Sequence, residues 1–142
     1  MTISIKIDSE VIMGTKIKSS KIIYNDKYYD CPISMAMDLI GGKWKSVILH
    51  SLKNGEKRFN ELQKDIPAIT DMTLSLQLKQ LEKDRLITRQ VFGEKPPIKV
   101  IYALSPLGHQ VCPALAELCS WALTIAQRND EDISNSTAQN IR

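Results

Sequence analysis

The chain predicts a mainly helical α+β fold in which a pair of helices runs directly into a two-stranded ribbon. Three observations carry that prediction. Leu74, Leu78 and Leu81 recur at i, i+4 and i+7, the stripe of one helix. Residues 86–92 then switch to a strand-like pattern, and residues 100–104 repeat it. Between those runs lies Gly93-Glu94-Lys95-Pro96-Pro97, a loop rich in turn-forming residues. A helix pair followed at once by a charged ribbon can set a helix in a DNA major groove with a ribbon tip beside it.

The remaining elements follow in chain order. Residues 1–30 read as an N-terminal arm without a clear period, although Ile3, Ile5 and Ile7 alternate with polar residues as in an edge strand. Order is expected from about Cys31, with Pro32 in the first turn of a helix and Cys31 at its N-cap. Ile33, Met37 and Ile40 form its apolar stripe, and Gly41-Gly42 ends it. Trp44, Val47, Ile48 and Leu52 mark a second helix, closed near Asn54-Gly55. Phe59, Leu62 and Ile66 mark a short third helix that stops before Pro67. The Leu74 helix is the fourth, capped by Thr70 or Asp71.

After the hairpin, Ser105-Pro106 opens a last helix, with serine as cap and proline at its first position. Leu107, Val111, Leu115, Leu118, Ala122 and Ile125 recur along it at steps of three and four, and Pro113 should kink or split it. That stripe is too apolar to face water throughout. A partner helix from a second subunit, together with the Cys31 helix, is the simplest cover. Residues 127–142 are polar and lack aromatics, which predicts a disordered tail. The fold expected is a winged helix-turn-helix with flanking N- and C-terminal dimerisation helices, its domain spanning residues 31–126.

Bulk properties narrow the function classes. The chain has 142 residues, 43% apolar and 25% charged, ordinary for a single soluble domain with extensions. No run approaches the roughly 18 apolar residues that read as a membrane span. The N-terminus has no basic segment followed by an apolar block, so export is not expected. Three cysteines without CxxC spacing fit a reducing cytoplasm. Between Lys57 and Val100 stand nine Lys or Arg and six Asp or Glu, so this segment carries as much net charge as the whole chain, +3. That balance suits either a DNA face or a solvated surface of mixed sign. Enzyme signatures are missing from the sequence. His50 and His109 lie far apart, no metal-ligand spacing occurs, and Gly41-Gly42-Lys43 lacks the upstream glycine of a phosphate loop. No cofactor is expected.

One series of motifs is more specific than any of these. Cys31-Pro32, Gly41-Gly42-Lys43-Trp44, Lys57-Arg58-Phe59-Asn60-Glu61-Leu62 and Gln77-Leu78-Lys79-Gln80-Leu81-Glu82 follow one another, with Pro96-Pro97, Tyr102, Leu104, Leu107-Gly108 and Trp121 downstream. The series resembles the HxlR-type winged helix-turn-helix regulators, within the MarR-like superfamily, over about residues 31–126. The resemblance implies a homodimeric transcription regulator that offers one recognition helix and one wing per subunit to a pseudo-palindromic operator in double-stranded DNA. It also implies, for many relatives, sensing of an oxidant or small electrophile through the cysteine at the Cys31 position. Relatives that cross-link use a second cysteine nearer the middle of the chain. This sequence has none between Cys31 and Cys112, so that disulfide is not expected. The chain departs from the family where Met72 replaces a frequent Lys or Arg and Leu76 a frequent polar residue, so operator sequence does not carry over.

At about 100° per residue, Met72, Thr73, Leu76, Lys79, Gln80 and Lys83 fall opposite the Leu74 stripe. Gln80 suits adenine, Lys79 guanine or phosphate, and Leu76 or Thr73 a thymine methyl. Ser75 and Gln77 flank this face and suit the sugar-phosphate backbone, as does the cap residue Thr70. Met72 and Leu76 can instead pack on the preceding turn, and Lys83 can simply be solvated. Lys95 and Lys99 flank the stiff proline loop, placed for the minor groove or its phosphates. They would serve equally to protect a solvated hairpin from edge pairing. Arg58 opens the third helix, poised for phosphate or for an ion pair with Glu61. A thiol at a helix N-terminus meets the positive end of the dipole, which favours the reactive thiolate, so Cys31 is the candidate switch. Its alternative role is a small buried apolar residue. Cys112 and Cys119 are expected on one face of a packed dimer seam. Another function keeps the fold but uses helix and wing for protein contacts within a transcription assembly.

Overall fold

The computed structural model describes residues 22–139, with side chains to residue 132. The order is β1 (Ile22–Tyr24), β2 (Lys27–Tyr29), α1 (Pro32–Ile40), α2 (Lys45–Leu52), α3 (Phe59–Asp65), α4 (Asp71–Lys83), β3 (Ile87–Phe92), β4 (Lys99–Leu104) and α5 (Pro106–Gln139). Two antiparallel hairpins, β1-β2 and β3-β4, flank the helices. This is the winged-helix architecture expected.

Order begins earlier than the sequence implied. Ile22 pairs with Tyr29 and Tyr24 with Lys27, and the turn between them places Asn25 at φ 48° and Asp26 at φ 61°. Asn and Asp tolerate this left-handed region, and two such residues in succession make the turn whose twist matches paired strands. The alternation at Ile3, Ile5 and Ile7 lies outside the described residues.

The core forms where the helical stripes meet. Ile48, Leu49, Leu52, Leu62, Leu74, Leu78 and Leu81 are all less than 2% exposed. Burying each such side chain contributes roughly 1.5–3 kcal/mol. Trp44, Phe59 and Val111 pack against this cluster from its margin.

The α1 stripe does not behave as expected. Ile40 is buried, but Ile33 is 68% and Met37 48% exposed. The inward side of α1 instead carries Met35, Ala36 and Leu39. A nine-residue helix docks along one narrow line, and here the body of the subunit meets the neighbouring face. Val47 of α2 is likewise exposed.

Helix α4 closes with its Cα trace turning at Arg85, φ 61°. The Leu86 N–H donates to the Leu81 carbonyl at 3.0 Å and the Arg85 N–H to that of Glu82, also at 3.0 Å. This is a Schellman stop with Leu81 and Leu86 as its buried pair, and it aims the chain directly into β3.

Ser105 caps α5 as predicted. Its hydroxyl accepts the Gly108 N–H at 3.0 Å and donates to the Arg85 carbonyl at 2.6 Å. Gly108 is needed for close approach, since a Cβ there would stand 2.1 Å from the Leu86 carbonyl oxygen. Pro113 lies inside α5 without splitting it. The tail expected to be disordered from residue 127 is also helical, to Gln139. Extending an existing helix adds one hydrogen bond per residue fixed, and no glycine or proline follows Pro113 to stop it. A helix of 34 residues is about 50 Å long.

Candidate nucleic-acid interface

Helices α3 and α4 and the turn between them form the helix-turn-helix. Ile66 and Ile69 are buried in the turn. Gln63 of α3 donates to the Asp71 carboxylate in the first turn of α4. Thr70 settles the capping question: its hydroxyl oxygen accepts the Thr73 N–H at 3.2 Å. The Thr70 hydroxyl in turn donates to Thr73 Oγ1 at 2.8 Å.

With Leu74, Leu78 and Leu81 turned inward, the opposite side of α4 is free. Met72 is 83% and Leu76 53% exposed, so neither packs on the preceding turn. Lys79, Gln80 and Lys83 are exposed, and Thr73, Ser75 and Gln77 are half-buried at the edges. Two large apolar side chains held in water on a rigid, capped helix are the unusual feature, because such groups lower the free energy by meeting a surface. Gln80 and Lys83 belong to the last turn, where they also line a cavity beside β1-β2.

The wing is held to the core at its base. Lys57 forms a one-residue bridge with Tyr102, its N–H donating to the Tyr102 carbonyl at 2.9 Å and its carbonyl accepting the Tyr102 N–H at 2.8 Å. The Lys57 ammonium also pairs with Asp65, which accepts the Ser51 hydroxyl at 2.7 Å. These hydrogen bonds from Lys57 and Ser51 hold the Asp65 carboxyl below its usual range. Beyond Ile87, every residue of β3 is exposed on both faces. The ribbon therefore projects into solvent, with Lys95 and Lys99 exposed around its loop. Lys99 holds its ammonium 5.9 Å from the centre of the Phe92 ring across the ribbon. Arg89 is exposed on β3 as well, a cation that reading the loop alone overlooked.

Arg58 is exposed at the N-cap of α3. Glu61 accepts its backbone N–H at 3.0 Å, so the carboxylate serves the helix end. Cys31 sits at the N-cap of α1 with a half-buried thiol that makes no capping hydrogen bond. All three cysteines are free. Cys112 packs against the core and its thiol donates to the Gly108 carbonyl at 3.7 Å, whereas Cys119 is exposed. The two therefore do not share one environment, since the body of the subunit covers only the first third of α5. Among the described residues, no helix is long and apolar enough to cross a membrane.

Fold and interface together define a regulator of the winged helix-turn-helix class. The family profile described as HxlR-like helix-turn-helix matches residues 39–130, and the chain belongs to that family. It is 40% identical over 107 residues to an uncharacterized HTH-type transcriptional regulator, YdeP, of Bacillus subtilis, covering 75% of this chain and 83% of that one. A second HTH-type regulator, from Methanothermobacter thermautotrophicus, is 45% identical over 96 residues, 68% of this chain and 72% of its own. Among solved structures, the reduced form of the redox regulator HypR is 34% identical with a TM-score of 0.66, over 71% of this chain and 99% of that one. Quinone-bound YodB from B. subtilis is 34% identical with a TM-score of 0.57, over 66% of this chain and 99% of that one.

Proposed function

We propose that this chain is a cytoplasmic, sequence-specific regulator that binds double-stranded DNA as a homodimer and responds to oxidants or electrophiles through Cys31. The exposed outer face of α4 carries the reading. A helix fixed at both ends, by the Thr70 cap and the Schellman stop, presents Met72 and Leu76 to solvent beside a ribbon with nothing of its own to cover. A major groove meets those needs, with Leu76 and Thr73 against thymine methyls, Gln80 on adenine and Lys79 on guanine or phosphate. Thr70, Ser75, Gln77, Arg58 and Lys83 serve the backbone, and Lys95 and Lys99 the adjacent minor groove.

The apolar surface of the monomer supports the dimer. Ile33 and Met37 of α1, and Leu118, Trp121, Leu123 and Ile125 of α5, are all more than 40% exposed. Two copies would bury these faces against each other, and the resulting two-fold axis would match a pseudo-palindromic operator. The redox reading of Cys31 is supported by its N-cap position and by the relatives HypR and YodB, one named a redox regulator and the other seen with bound quinone.

The experiment is a binding titration of purified protein against its own promoter and random duplex at moderate salt. A clear preference for the promoter is expected, and equal binding would refute the proposal. Cys31→Ser should keep basal binding and lose the response to diamide; an unchanged response would remove Cys31 as the sensor. A partner protein in place of DNA would show as an affinity with little salt dependence.

A further inference from the structure

The tip of the β3-β4 ribbon is apolar as well as basic. Phe92 is 51%, Ile98 52% and Val91 49% exposed, three large apolar side chains bracketing the loop of residues 93–97. Phe92 pairs with Lys99 and Val91 with Val100, so strand alternation sets Phe92 and Val91 on opposite faces of the ribbon. Gly93, at φ 100°, turns the chain directly after Phe92 and leaves the ring at the end of its strand. Ile87 is the last buried residue of β3, and at about 3.4 Å per residue Phe92 stands roughly 17 Å beyond it.

A ribbon solvated on both faces gains nothing from large apolar groups at its tip, because such groups lower the free energy only by leaving water. The ring's partner across the ribbon is a cation, the Lys99 ammonium at 5.9 Å from its centre. Lys95 is exposed in the loop, Arg89 is exposed farther down β3, and Glu94 is the loop's single carboxylate. An apolar wedge framed by cations is complementary to a duplex minor groove, where stacked bases lie between two lines of phosphates. The ribbon as a whole cannot enter. Sheets need about 10 Å of thickness with their side chains, and the groove is about 6 Å wide. A single side chain at the tip can.

We infer that Phe92 is a wedge that enters the minor groove between two base pairs beside the α4 site, unstacks them and bends the duplex, with Lys95 and Lys99 on the flanking phosphates. The inference rests on the DNA-regulator reading and adds to it a residue that selects sequence without a hydrogen bond to a base. Unstacking is easiest at pyrimidine–purine steps, TA and CA/TG, so the wedge favours such a step under the wing. Apolar wedges in the minor groove kink the duplex toward the major groove. That bend narrows the major groove around α4 and presses its walls toward Met72 and Leu76.

The test uses the full chain and circularly permuted fragments of its own promoter, with the bend read from gel mobility relative to free DNA. The parent should bend the duplex by at least roughly 20°. Phe92→Ala should lose more than half of that bend and about tenfold in promoter affinity, the scale of one unfavourable base pair in a site. Its affinity for random duplex should not change. Phe92→Leu should keep most of the bend, since leucine also serves as a wedge. Phe92 is half exposed, so both variants should melt with the parent. A second arm replaces the pyrimidine–purine step under the wing by a stiff A-tract step; this should weaken the parent and leave Phe92→Ala unaffected. Binding to a straight duplex, an equal bend with Phe92→Ala, or equal weakening of both proteins by the A-tract step would overturn the wedge. So would a change in the solution mass of Phe92→Ala at an unaltered bend, which would make the tip a contact between copies. Absence of any DNA binding by the parent would refute the regulator reading and the wedge with it, whereas binding without bending sinks the wedge alone.

Discussion

Gly108→Ala should loosen the attachment of α5, although alanine is the better helix former. The added Cβ would lie 2.1 Å from the Leu86 carbonyl oxygen, whereas ordinary contact begins at 3.4 Å, so about 1.3 Å must be opened. The obstacle is backbone, and it cannot rotate away. Leu86 is the Schellman residue immediately before β3, and its carbonyl also accepts the Ser105 N–H at 3.1 Å. Leu104 Cδ2, at 3.3 Å, blocks a sideways escape. Overpacking of this kind costs about 1–3 kcal/mol. Weakening the Ser105 bond adds about 1 kcal/mol. Replacing a helical glycine returns about 1 kcal/mol. The net expectation is a loss of about 1–3 kcal/mol, a fall in Tm of about 3–10 °C for a chain of this size. Circular dichroism melts at one fixed protein concentration measure it, because dimer formation would otherwise shift Tm by mass action. The neighbouring His109→Ala, at an exposed site, should stay within about 0.5 kcal/mol. A Gly108→Ala protein as stable as the parent would refute the close approach of α5 to Leu86.

Three further outcomes are expected. Leu78→Ala removes a side chain only 1% exposed at the centre of the core and should cost about 3–5 kcal/mol in urea unfolding; a loss below about 1 kcal/mol would contradict its burial. Replacing Lys95 and Lys99 by alanine should flatten the dependence of log affinity on log salt by about 0.9 for each phosphate left without its lysine, and an identical slope would remove the wing from the interface. Asp65 has a carboxyl lowered on folding, so its contribution is present above its unfolded value, near pH 3.9, and is lost as pH falls below it. Asp65→Asn should therefore show a shallower decline of Tm than the parent between about pH 5 and pH 3; parallel curves would rule out that linkage.

Much of this architecture was legible in the sequence because its signals are local. The leucine spacing of α4, the Ser105-Pro106 start of α5 and the proline loop of the wing each depend on a few neighbouring residues, and each was found where expected. The β1-β2 hairpin was equally local but went unread, since Asn25-Asp26 between two short β-rich runs is a turn signal in its own right. Other features had no local signal. The one-residue bridge from Lys57 to Tyr102 joins residues far apart in the chain, and no strand pattern surrounds Lys57 to announce it. The hold of Tyr24 and Asn25 on Asp84 likewise spans a long stretch of sequence.

By itself the sequence determined the helices α1 to α4, the start of α5, the two strands of the wing and which side of α4 is apolar, because periodicity fixes a side chain's position relative to its own helix. Only the tertiary structure decided which apolar stripes stay inside one subunit. Leu74 and Ile33 look alike as members of a stripe, yet one is buried and the other 68% exposed, because burial depends on what the rest of the chain brings against that face.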